Sequence, residues 1–149
     1  YLKIKLRLSN AKKNQVTKEL TSMGVEITEN SDLILTEDDY YGGELYCKDD
    51  TDTVIVILSD ILYIESLGKD IYVHTINKNF TTATRIYVLE QKLPNEQFLR
   101  ISNSVVIRKN AIQRIRPGLS QKFYLTLKNG DSVDVTRTYY YKFKEYFGI

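Results

Sequence analysis

Arg100, Asn103 and Arg108 stand within the run Phe98-Leu99-Arg100-Ile101-Ser102-Asn103-Ser104-Val105-Val106-Ile107-Arg108, and Lys128 and Arg137 follow it. Their common chemistry is the holding of an anion. A guanidinium is a permanently charged planar fork of donors, an ammonium is a mobile point charge, and a carboxamide both donates and accepts. From Arg100 to Ile149 there are ten Lys and Arg against three Asp and Glu, a net +7. Residues 1–99 carry eleven against sixteen, a net −5, so the whole-chain +2 conceals two halves of opposite sign. Such a split is expected when one part faces a polyanion and the other must stay off it.

Covalent chemistry is poorly equipped. There is one His and one Cys. No Gly-x-Ser-x-Gly, Walker loop, His-Glu-x-x-His or Cys-x-x-Cys occurs, and no enzyme, metal or cofactor is expected. His74 lies in the alternating run Asp70–Ile76 and reads as a solvent-side strand residue rather than a general base. Cys47 reads as a small strand residue; a single Cys rules out an internal disulfide framework and suits a reducing cytoplasm. No run of about 18 apolar residues is present, so no membrane insertion is expected. The first residue is Tyr1, not Met, which leaves open whether sequence upstream is missing.

The elements that must position these residues can be read from periodicity. Leu2–Leu8 alternates apolar residues with Lys3, Lys5 and Arg7, a strand with one wet face. Ser9 or Asn10 can cap a following helix, in which Val16, Leu20 and Met23 form a stripe that Gly24 ends. Leu33–Leu35 reads as a second strand, so residues 1–36 form a small β-α-β unit. Residues 26–52 hold ten acids against Lys48; Glu37, Asp38 and Asp39 lack calcium-loop spacing and read as a solvated connection. Tyr40-Tyr41-Gly42-Gly43 marks a boundary, giving a linker over 37–43 and a second domain over 44–149.

That second domain is expected to be mostly β with short helices. Strands are predicted at Glu44–Lys48, Thr53–Leu58, Ile61–Glu65, Ile71–Ile76, Asn79–Thr82, Phe98–Ile101, Ile112–Arg116 and Phe123–Leu127, with Val133 and Val135 on a last one. Ile86, Leu89 and Leu93 have helical spacing, and Pro94 ends that element. Asn129-Gly130 predicts a tight hairpin with positive φ at both residues. Tyr140, Phe143 and Phe147 predict a closing helix over Tyr139–Phe147.

From about Glu44 to Phe147 the chain resembles the LytTR DNA-binding domain of bacterial transcriptional regulators. Four groups carry the resemblance in order: Asp60-Ile61-Leu62-Tyr63-Ile64-Glu65-Ser66; the helix with Leu89 and Leu93; Phe98-x-Arg100-Ile101-x-Asn103-Ser104-x-Val106; and Leu127-Lys128-Asn129-Gly130 with Val135-Thr136-Arg137. It implies an elongated β domain, preceded here by the β-α-β unit, that places loops into successive major grooves of double-stranded DNA and bends it. It implies base or backbone contacts at Asn103, at Arg137 at the end of the last strand, and at Lys69 in the loop after Ile61–Glu65. Lys128 takes a basic hairpin position that touches phosphate. Arg108 replaces an Asn found in many members and adds a phosphate contact.

Residue chemistry agrees. Arg matches guanine O6 and N7, Asn matches adenine, and Lys suits the backbone. Asn103 can equally be a turn residue bonding its own backbone, and Arg100 can equally be a structural ion pair as a phosphate ligand. The reading is a cytoplasmic, non-catalytic regulator, bound as a homodimer to repeated half-sites. The alternatives are an RNA-binding β surface using the twelve tyrosines, or a protein-interaction module.

Overall fold

The computed structural model describes residues 1–8, 10–37 and 43–149, with the backbone alone for Asn10 and Ala11. Ser9, Asp38 and Asp39 and most of the Tyr40–Gly43 boundary lie outside the described residues, so the capping and boundary expectations there have no structural counterpart.

Near the N-terminus, β1 (Lys3–Arg7) is the centre of a parallel three-stranded sheet, flanked by β2 (Glu26–Ile27) and β3 (Ile34–Thr36). Helix α1 (Asn10–Ser22) makes the crossover. Ile4, Leu6 and Leu8 are buried with Val16 and Leu20 against them, as the alternation requires. Met23 is a correction: it is 73% exposed. The helix has already ended, Gly24 turns the chain at φ +83°, and Val25 and Ile27 take the apolar role. Strand β2 is unexpected, because Glu26 begins an acid-rich stretch. The acids have partners: Glu26 meets Lys3 at 3.7 Å and Glu29 meets Arg7 at 2.9 Å on the charged side of β1.

The remainder is mostly β. Seven strands form one sheet in the order β5-β4-β8-β7-β6-β10-β9: β4 (Glu44–Asp49), β5 (Asp52–Ile57), β6 (Ile61–Leu67), β7 (Asp70–Thr75), β8 (Asn79–Thr82), β9 (Phe98–Arg100) and β10 (Val105–Arg108). Helix α2 (Ile86–Lys92) lies before β9. A second antiparallel sheet holds β11 (Ile112–Gly118), β12 (Lys122–Leu127) and β13 (Ser132–Val135), and α3 (Tyr140–Phe147) closes the chain. Pro117 lies in β11, an edge strand, where its missing N–H costs no ladder bond.

The seven-stranded sheet is covered along one face, and at β6, β9 and β10 it is buried on the other face as well, while the outer faces of β4 and β5 stay exposed. One core joins Leu45, Cys47, Ile64, Val73 and Val106 to Ile86 and Leu89 of α2 and to Leu93 just beyond it. The other joins Leu99, Val105 and Ile107 to Phe123, Leu125, Val135 and Phe143. Phe98 and Val106 face the first and their neighbours the second, the period of two expected for strands. In β6 a register shift between Ile61 and Tyr63 sends the consecutive Leu62 and Tyr63 to one side. Strand β10 is unexpected because Val105-Val106-Ile107 does not alternate; with both faces buried it has no reason to.

The Asn129-Gly130 hairpin is present in a different form. Gly130 alone has positive φ, at +90°. Its N–H donates to Leu127 O at 2.9 Å, and Leu127 N–H donates to Asp131 O at 2.8 Å. This is the three-residue connection in which a turn is followed by a left-handed glycine. A Cβ at Gly130 would meet nothing within 4 Å, so a substitution costs through φ alone. Gly130→Val is therefore expected to destabilise by about 1 kcal/mol or more. An unchanged thermal midpoint would contradict the left-handed conformation.

Candidate nucleic-acid interface

Two of the predicted residues are brought together by backbone hydrogen bonds. Asn103 lies in the connection between β9 and β10, and Arg137 opens the short 3-10 turn Arg137–Tyr139 just beyond β13, not the strand's own end. Thr136 N–H donates to Ile101 O at 3.0 Å, stitching the two segments side by side. Tyr139 Oη–H donates to Asn103 Oδ1 at 3.4 Å. The Asn103 side chain therefore does not close a turn on its own backbone. That task belongs to Ser102, whose Oγ accepts from Ser104 N–H at 3.2 Å.

Lys69 joins the same end of the molecule. It sits with Gly68 in the tight turn between β6 and β7, where Leu67 pairs with Asp70. Ser66 N–H donates to Ser104 O at 2.8 Å, which sets this turn beside the Asn103 loop. Lys69, Asn103 and Arg137 are all exposed. Three donors thus project from three separate loops, each anchored to the sheets behind it.

Arg100 does different work. Its side chain is only 14% exposed. Nε donates to Ser102 O at 3.0 Å, Nη2 to Asn103 O at 2.6 Å, and Nη1 to Glu90 Oε1 on α2 at 3.0 Å. Its guanidinium also lies 5.9 Å from the Tyr139 ring centre. The salt-bridge reading of Arg100 is the one its geometry supports: it holds the Asn103 loop and is spent on internal acceptors.

Arg108 and Lys128 are placed elsewhere. Arg108 ends β10, and its Nε donates to Ile61 O; burial lowers its pKa, opposed by Asp60. Lys128 is exposed in the β12–β13 connection, with its N–H on Ala111 O at 2.9 Å. From Asp131 to Arg137 a strand advances about 20 Å at ~3.4 Å per residue, so Lys128 stands at the far end from Arg137. Asp131 is tied down at that end by Tyr63 Oη at 3.0 Å and by Asn129.

His74 is not on the solvent side. Its ring is 13% exposed, stacks on Tyr63 at 4.0 Å and 11°, and places its nitrogens 3.2 Å from Glu65 and 3.1 Å from Asn79. The β6–β7 and β7–β8 pairings that gather these groups are invisible in the local alternation. Cys47 is 1% exposed, and burial pushes its thiol up to about 11, so it is no ready nucleophile. Among the described residues no His, Cys, Asp and Glu cluster could hold a metal, and no helix is long and apolar enough to cross a membrane.

From β4 onward the chain is thus a two-sheet β domain with short helices that carries exposed polar and basic side chains on its anchored loops. The LytTr DNA-binding domain matches residues 51–148, about two thirds of the chain, and the chain belongs to that family. A solved LytTr DNA-binding domain from Bacillus cereus superposes with a TM-score of 0.69 at 26% identity, covering 72% of this chain and 98% of that one. The sensory transduction protein LytT of Bacillus subtilis is 30% identical over 122 residues, 80% of this chain and 51% of that protein. An uncharacterized HTH-type transcriptional regulator of Staphylococcus aureus is 28% identical over 100 residues, 67% of each chain. The chain thus spans about half or less of the LytT proteins it matches.

Proposed function

We propose that this chain is a transcription regulator that binds specific double-stranded DNA by placing the Lys69, Asn103 and Arg137 loops into successive major grooves. The observation that carries the reading is the convergence of these three exposed side chains, borne by three separate connections, at one end of the paired sheets. Arg137 has the fork for guanine, Asn103 has the carboxamide for adenine, and Lys69 supplies charge for the backbone. Arg100 keeps the Asn103 loop in shape from behind. Residues 44–149 are the binding module and 37–43 its connection. Residues 1–36 form a separate unit for self-association or signal reception, whose neighbouring acids keep it from the duplex. Two copies would then occupy repeated half-sites.

The test is a salt series on a duplex recovered by selection from random sequences. With roughly 4–8 phosphates neutralised, log K falls against log salt with a slope of about −0.9 per phosphate. Lys69→Ala should make that slope shallower by about one. Lys128→Ala, about 20 Å from Arg137 along the strand, should leave it unchanged. A flat salt dependence of the native protein, or equal affinity for single-stranded RNA, would reject duplex recognition in favour of the alternatives.

A further inference from the structure

The connection between β11 and β12 is the exposed feature that the three-loop reading leaves unused. Its last pairs are Pro117 with Phe123 and Gly118 with Lys122, so Leu119, Ser120 and Gln121 form the tip. Leu119 is 87% exposed, close to the full exposure of a free side chain. Ser120 and Gln121 both have left-handed backbones, with φ of +61° and +58°. Neither is a glycine, and each such residue is held there at some cost in conformational energy. The tip is braced from both sides. Gln121 Nε2 donates to Tyr141 Oη at 2.7 Å, and Tyr141 is in the first turn of α3, four residues after Arg137. Behind the tip, Gly118 lies under the Tyr124 ring so closely that a Cβ would come within 2.5 Å of it, and Arg116 stacks on that ring at 5.4 Å. A strained, braced turn thus holds one leucine out in water.

Position supplies the partner. Phe123 pairs with Val135, so this tip and Arg137 emerge from the same end of the second sheet. At about 4.8 Å between strands, β11 ends roughly 10 Å to the side of β13, and the tip reaches beyond the sheet. Along B-DNA the minor groove follows the major groove at about half of the ~34 Å helical turn, or ~17 Å. Arg116 is exposed on one strand of the hairpin and Lys122 half-exposed on the other, placing cations on both sides of the leucine. An apolar side chain between two cations, on a rigid hairpin, fits a minor groove, where it can wedge between base steps while the cations meet the flanking phosphates.

We propose that Leu119 is an apolar wedge that enters the minor groove next to the major groove met by Arg137 and bends the duplex there. This rests on the duplex-binding reading above, and the two fail separately. The experiment uses the full chain and the selected duplex, labelled at its two ends for energy transfer, in a titration at several salt concentrations. Leu119→Ala is expected to weaken binding roughly tenfold, the scale of losing one buried leucine contact. It is also expected to straighten the duplex while leaving the salt slope unchanged, because no ion pair is lost. Leu119→Met, which keeps an apolar side chain of similar length, is expected to retain both affinity and bend. Native affinity and native bend for Leu119→Ala, alongside a loss for Arg137→Ala, would overturn the wedge and keep duplex binding. Native binding by both variants would overturn the wedge together with the three-loop reading.

Discussion

Arg137→Ala is expected to cost about 1–3 kcal/mol of binding on the best duplex and to relax the preference at one base pair. The side chain is exposed and makes no hydrogen bond or ion pair with any described residue, so its fork is available. Its backbone is not free: Thr136 is bonded to Ile101 on one side, and Tyr139 N–H donates to Thr136 O at 3.0 Å on the other. A bidentate donor on a fixed backbone can discriminate a guanine from other bases, whereas a swinging one adds only charge. The measurement is affinity of native and variant protein across duplexes carrying every single-base change in the site. A uniform loss across that panel would make Arg137 a phosphate contact and remove its reading role. Removal of one exposed cation should not move the thermal midpoint, which checks that the variant is folded.

A larger effect is expected inside the module. Phe143 is fully buried, with its ring 5.1 Å from Phe123 and 4.6 Å from Phe147. Phe143→Ala deletes the aromatic anchor of α3 and leaves a cavity, and the expected destabilisation is about 3–5 kcal/mol. Denaturant unfolding, with its slope unchanged, would measure it. A loss below about 1 kcal/mol would mean that α3 is not docked on the second sheet. The consequence reaches the interface, because α3 begins three residues after Arg137 and carries the Tyr141 that braces Gln121. Under conditions where the variant remains folded, its affinity for the duplex should also fall, since two of the proposed contacts lose their support.

Much of this molecule is legible in residue order. Alternation placed β1, β4, β5, β7 and β8 to within a residue or two, because each has one face toward a core and one away from it. Pro94 and the Ile86–Leu93 spacing bounded α2, and the glycine at position 130 marked the hairpin. The misses have physical causes. Strand β10 is buried on both faces and so carries no period, β2 is two residues long, and Met23 falls just past the end of its helix. For Asn129, dipeptide type suggested a left-handed residue, but the extra residue of the loop placed that conformation on Gly130 alone.

The candidate site divides in the same way. Residue order determined which side chains could meet DNA: a basic segment, an Asn in a Ser-rich loop, and an Arg following the last strand. It left Arg100 open between an ion pair and a phosphate ligand, and it marked Arg137 as a DNA contact only through the family resemblance. The tertiary structure turns Arg100 inward onto Ser102, Asn103 and Glu90, while Arg137 has no hydrogen-bond or ion-pair partner among the described residues. It also set Lys69 beside Asn103 through the Ser66–Ser104 hydrogen bond and sent Arg108 and Lys128 to the opposite end. Local sequence specifies charge and strand period because these act over a few residues. Which loops share an end depends on the pairing of β6 with β10 and on the packing of one sheet upon the other, contacts between residues far apart in the chain.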